Sequence, residues 1–90
     1  MLEPGYQLRY KKSIDRDLRQ LPDSHRQTIV AKILQLAREP RPASSTKLQG
    51  SRDLYRIRHA DYRIIYQIND GQLIILVVKV GHRREVYRPY

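Results

Sequence analysis

The sequence predicts an α+β domain, an N-terminal helical hairpin packed on an antiparallel sheet of about four strands. Three features lead there. Residues 13–38 carry apolar side chains at helical spacing, interrupted once by Pro22-Asp23. Residues 54–80 hold three segments rich in β-branched and aromatic side chains, parted by turn residues at Ala60-Asp61 and Asp70-Gly71. All 90 residues read as one domain, because so short a chain cannot divide its core in two.

Taken in order, Tyr6, Leu8 and Tyr10 alternate with Gln7 and Arg9, the period of a half-buried strand. Ser13 stands where it can cap a first helix, and Asp15 and Asp17 suit the positive end of its dipole. Ile14, Leu18 and Leu21 give that helix a narrow apolar stripe. Ser24 and Gln27 read as a capping box opening a second helix. There Ile29, Ile33 and Ala37 form one apolar row, Val30 and Leu34 the next, with Leu36 alongside, and Pro40 forces an end near Arg38. Residues 40–51 are a loop of Pro, Ser, Thr and Gly. Residues 54–58 and 62–68 are strands, and Asp70-Gly71 reads as a two-residue type I′ turn. The nearly unbroken apolar run at 73–80 indicates a strand covered on both faces, with β-branched Ile74, Ile75, Val77 and Val78 arguing against a helix.

A two-residue turn at Ala60-Asp61 sets Arg58 opposite Arg63 and Arg56 opposite Ile65, so that three arginines leave one side of the sheet. Tyr55, Ile57, Ile64 and Tyr66 then leave the other, the natural seat of the helices. Pairing across Asp70-Gly71 adds Ile74, Leu76 and Val78 to the arginine side, an apolar floor under a charged rim. Like charges directly opposite one another destabilise a sheet unless an anion sits between them. A competing reading pairs the arginines with Asp53, Asp61 or Glu85 in surface ion pairs of little energetic weight. The planar fork of Arg, which matches phosphate bidentately, favours the anion.

Composition points the same way. Eighteen Lys and Arg against nine Asp and Glu leave a formal charge of +9 spread over both halves, which fits a polyanionic partner, most simply nucleic acid. With no Cys there is no disulfide framework and no thiolate zinc site. His25, His59 and His82 have no metal-pair spacing, so neither metal nor cofactor is expected. No apolar stretch approaches the ~20 residues of a membrane span and no signal-peptide pattern opens the chain, so the expectation is a cytoplasmic protein without a membrane partner. A Gly-rich phosphate loop and a nucleophile elbow are both missing. His25 reads as a solvated residue of the second helix and His59 as a turn residue. His82, between Gly81 and Arg83-Arg84 just past the central strand, is a candidate for chemistry.

Tyr55-Arg-Ile-Arg58, Asp61-Tyr-Arg-Ile-Ile-Tyr66 and Val80-Gly-His-Arg-Arg-Glu-Val-Tyr87, preceded by Lys47-Leu-Gln-Gly50, resemble the RelE branch of the RelE/ParE toxin superfamily over essentially the whole chain. The resemblance implies the toxin of a toxin-antitoxin pair, a ribosome-dependent endoribonuclease that enters the A site and cuts mRNA. It implies a cognate antitoxin in a hetero-oligomer, with ribosome and mRNA as the other partners. It places the family's basic cluster on Arg56 and Arg58, its sheet arginine on Arg63, its loop arginine on Arg83 and its catalytic tyrosine on Tyr87. Lys47, Arg52 and Arg84 complete the expected RNA contacts. Well-known members carry lysines where this chain has Arg56 and Arg58, and a guanidinium cannot serve as general base. The base is then Tyr87 or His82. Two other readings stand beside this one, a ParE-like inhibitor of DNA gyrase with no nuclease activity and a non-catalytic RNA-binding module.

Overall fold

The computed structural model describes residues 5–86, and of residues 85 and 86 the backbone alone. Eight elements follow one another: β1 (Gln7–Tyr10), α1 (Ser13–Arg19), α2 (Asp23–Leu36), β2 (Thr46–Lys47), β3 (Leu54–His59), β4 (Tyr62–Asn69), β5 (Ile74–His82) and α3 (Arg83–Val86). The α+β class and the helical hairpin are as the periodicity predicts. The helix starts differ. Neither α1 nor α2 has a side-chain cap, and α2 begins at Asp23 behind Pro22, whose carboxylate-bearing neighbour pairs with Arg26 within the first turn. Ser24 is therefore already helical, and its carbonyl accepts a bond from Thr28 Oγ1.

The sheet has five strands in the order β1-β5-β4-β3-β2, and it is mixed rather than antiparallel. β2 to β5 run antiparallel, while β1 lies parallel to β5, from Gln7 opposite Ile74 to Tyr10 opposite Val77. Alternation marks residues 6–10 as a strand, but α1 and α2, crossing one face of the sheet, decide its direction. The two-residue β2 is an edge too short to read from sequence.

The core lies between the helices and one face of the sheet. Ile14 and Leu21 meet Ile29, Ile33 and Leu36 of α2 above Ile57, Ile64, Tyr66, Ile68, Ile75, Val77 and Val80. Burying each such side chain stabilises the fold by about 1.5–3 kcal/mol before ordering costs. Of the second expected row of α2, Val30 is half-buried and Leu34 stays outside, 56% exposed, because a helix lying on one sheet buries a single stripe fully.

Ala60-Asp61 forms the expected two-residue turn, with Ala60 in the left-handed region at φ 53°, and Arg58 stands opposite Arg63. Asp70-Gly71 does not make the two-residue turn. Four residues connect the strands, Asn69 stands opposite Ile74, and Asn69 Oδ1 accepts the Gln72 N–H at 2.9 Å. A shift of two residues keeps the parity, so Ile74 and Leu76 remain on the arginine side. Val78 does not. A bulge skips it, since Tyr66 faces Val77 while Ile65 faces Lys79. Beyond it Lys79 takes the arginine side and Val80 turns into the core, 1% exposed.

Asp17 is the polar member of the buried stripe of α1, 7% exposed. β1 stops opposite Val77, and Asp17 supplies the acceptor that β5 needs beyond it. Its Oδ2 accepts the Val80 N–H at 3.3 Å and its Oδ1 accepts from Lys79 Nζ at 3.1 Å. At the other end of the sheet Arg41 forks onto Asp70, and the Tyr6 hydroxyl donates to the same carboxylate at 2.6 Å.

Candidate nucleic-acid interface

Adjacent antiparallel strands bring Arg56, Arg58 and Arg63 to one face. Arg56 lies opposite Ile65 and Thr46, Arg58 opposite Arg63, and Arg63 also opposite Gly81 of β5. Ile65 is fully buried yet outside the helix-side cluster, which marks this face as the one the core does not use.

The three differ in freedom. Arg58 is exposed, whereas Arg63 is 8% exposed and held. Its Nη1 donates to the carbonyls of Ala60 at 3.2 Å and Tyr62 at 3.1 Å, so the guanidinium braces the turn that carries it. Its Nε is buried with no acceptor among the described residues. A buried donor without a partner costs about 1–3 kcal/mol, which an incoming anion would recover. Among the described residues no carboxylate lies within ion-pair distance of Arg58 or Arg63. Asp53 accepts from Gln67 at 2.8 Å, and Asp61 lies 3.9 Å from Arg83. Two of the three acids that could have neutralised these arginines are therefore engaged elsewhere.

Arg83 opens α3 at the same end of the sheet. Its N–H donates to the Asp61 carbonyl at 2.7 Å, and its half-exposed guanidinium hangs beside the β3–β4 turn. The main chain thus ties this arginine to the hairpin bearing Arg58 and Arg63.

Other expected residues fall elsewhere. Lys47 stands opposite Tyr55, on the helix side at the sheet edge, and Arg52 is exposed in the loop before β3. His82 pairs with Tyr62 on the helix side, the rings 5.9 Å apart, and its Nδ1 accepts the Arg84 N–H at 3.2 Å. That bond leaves the neutral ring's proton on Nε2. Arg84 is exposed on α3, and Tyr87 lies outside the described residues.

Sequence reading missed one cluster. His25 Nδ1 lies 3.0 Å from His59 Nε2, so His25 is not the solvated residue expected, and His59, expected in the turn, is the last residue of β3. A signal existed, since His25 precedes Ile29 and Ile33 at four-residue intervals on the buried row.

The family model described as the ParE toxin of the type II toxin-antitoxin system matches residues 8–87. The chain belongs to the RelE/ParE toxin superfamily. Within it, the mRNA interferase toxin RelE of Escherichia coli (strain K12) is 31% identical over 87 residues, 92% of this chain and 90% of the relative. RelE in the archaeal RelE-RelB complex from Pyrococcus horikoshii superposes with a TM-score of 0.78 at 31% identity, covering 90% of this chain and 98% of the other. The isolated E. coli RelE toxin gives 0.76 at 30% identity, covering 91% and 90%. This RelE-type toxin therefore shares with them the fold whose sheet face away from the helices carries its arginines.

Proposed function

We propose that this toxin is a ribosome-dependent mRNA endoribonuclease that works without a metal, and that a cognate antitoxin restrains it. The observation that carries the reading is the Arg58–Arg63 pair, two cations in register across β3 and β4 with no acid within ion-pair distance among the described residues and Arg83 tied to the same turn. Such an array suits a phosphodiester whose charge grows in the transition state.

In the reaction the ribose 2′-oxygen attacks the adjacent phosphorus, and the bond from phosphorus to the 5′-oxygen breaks. The products are a 2′,3′-cyclic phosphate and a 5′-hydroxyl, the leaving 5′-oxygen taking its proton from solvent. Arg56, Arg58, Arg63 and Arg83 stabilise the charge on the non-bridging oxygens. Arginines cannot take the 2′-proton, so a base is needed. Tyr87 is assigned that duty, which needs cations beside its phenol to favour the phenolate. His82 is the second candidate, but its helix-side ring and its bond to the Arg84 N–H speak for shaping α3 instead. Lys47, Arg52 and Arg84 supply phosphate contacts away from the scissile link.

Solved neighbours include RelE-RelB complexes from Pyrococcus horikoshii and E. coli, which supports a cognate antitoxin bound to the toxin in a hetero-oligomer. A toxin that acts on ribosomes and mRNA works in the cytoplasm, and that is the localisation assigned to it. Among the described residues no helix is long and apolar enough to cross a membrane.

The ParE name of the matching family model favours a second reading, inhibition of DNA gyrase. Cell-free translation with toe-printing separates the two. Codon-phased cuts in ribosome-bound mRNA are expected; intact mRNA together with gyrase-dependent DNA breaks would reverse the assignment.

A further inference from the structure

His25 and His59 take no part in the proposed chemistry, yet their ring nitrogens lie 3.0 Å apart, Nδ1 of one against Nε2 of the other. His59 ends β3 opposite Tyr62, on the same side of the sheet as Ile57. His25 reaches it from the first turn of α2, and the rings meet edge to face with centroids 5.1 Å apart. The Tyr62 ring lies 5.1 Å from His25, with His82 of β5 beyond it, 5.9 Å from Tyr62. Lys32 of α2 adds a positive charge facing His59. Among the described residues no carboxylate bonds to either imidazole.

A hydrogen bond between two imidazole nitrogens needs one N–H and one lone pair. When both rings are charged, two N–H groups and two cations face each other, and the bond is gone. We propose that His25 and His59 form a proton-sensitive latch that holds α2 against the β3–β4 hairpin while at least one ring is neutral and lets go when both are charged. The hairpin passes the change on. Only Ala60 and Asp61 separate His59 from Tyr62, Ala60 sits at φ 53°, and Arg63 Nη1 grips the carbonyls of Ala60 and Tyr62. Displacing His59 therefore moves the frame that aims Arg63 and Arg58.

Burial, then His25, then Lys32 hold the His59 imidazole below the ordinary histidine range. The folded protein thus takes up this proton at lower pH than the unfolded chain. The latch contributes fully above about pH 6.5, and its contribution is lost as the pH falls through the folded value.

Side-chain 1H–15N spectra of the full chain, recorded from about pH 8 to about pH 5, test this without any nuclease assay. His59 is expected to titrate below the ordinary histidine value, with the Arg63 Nε–H resonance moving at the same midpoint. His59→Gln, which keeps a polar group toward His25 but cannot charge, is expected to abolish the acid-side shift at Arg63 and to halve the acid loss of Tm. A His59 midpoint at or above the ordinary value, an Arg63 signal that ignores the titration, or equal acid loss of Tm in both proteins overturns the latch. Should His59→Gln not fold, the wild-type titration alone decides.

Discussion

Arg58 and Arg63 face each other across β3 and β4, and among the described residues no acid stands within ion-pair distance of either. Directly opposed like charges cost a sheet roughly 0.2–1 kcal/mol. Arg58→Gln should therefore leave urea-unfolding stability unchanged or raise it by a few tenths of a kcal/mol, while mRNA cleavage on programmed ribosomes falls about 10²–10³-fold. A loss of stability with cleavage intact would assign Arg58 to the fold instead.

Arg63 is expected to behave differently, because it is buried and its Nη1 holds two carbonyls of the turn. Lysine keeps the charge but cannot reproduce the fork. Arg63→Lys should lower unfolding free energy by about 2 kcal/mol in addition to lowering activity, measured by urea titration of the purified toxin.

Asp17 bridges α1 to the unpaired stretch of β5. Asp17→Asn retains the shape but weakens the bond to Lys79, with a predicted loss of about 2 kcal/mol. Amide exchange should show the Val80 N–H opening faster than in the parent protein, with the Ile64 N–H less affected.

Tyr66 is fully buried, and its hydroxyl donates to the Pro40 carbonyl at 2.7 Å. Burial pushes this phenol up to about 12. The unfolded chain ionises first, near pH 10, so this residue's share of stability is intact below that pH and is lost as the pH rises toward 12. Ultraviolet titration should show one tyrosine ionising after the others. Tyr66→Phe should remove that late step and cost about 1 kcal/mol.

Much of the site was legible before any coordinates. The parity of residues 54–68 and a two-residue turn set Arg56, Arg58 and Arg63 on one face, because side chains alternate along any strand. The same logic failed at Val78, where one bulged residue reverses the alternation and brings Lys79 to the arginine side. Bulges answer to packing on both sides, here Val80 entering the core and Asp17 receiving its N–H. His82 shows a different limit. A histidine between glycine and two arginines reads as reactive, yet its placement beside Tyr62 follows from where β5 ends, which composition does not encode.

The chain alone determined the element types, the cationic surplus and the register of the β3–β4 hairpin, since these follow from short-range periodicity and turn stereochemistry. Tertiary structure decided the parallel seat of β1, the reversal at Val78 and the meeting of His25 with His59, 34 residues apart. Each of these depends on which distant surfaces come into contact, and a local pattern carries no distance between segments that the chain's own path must bring together.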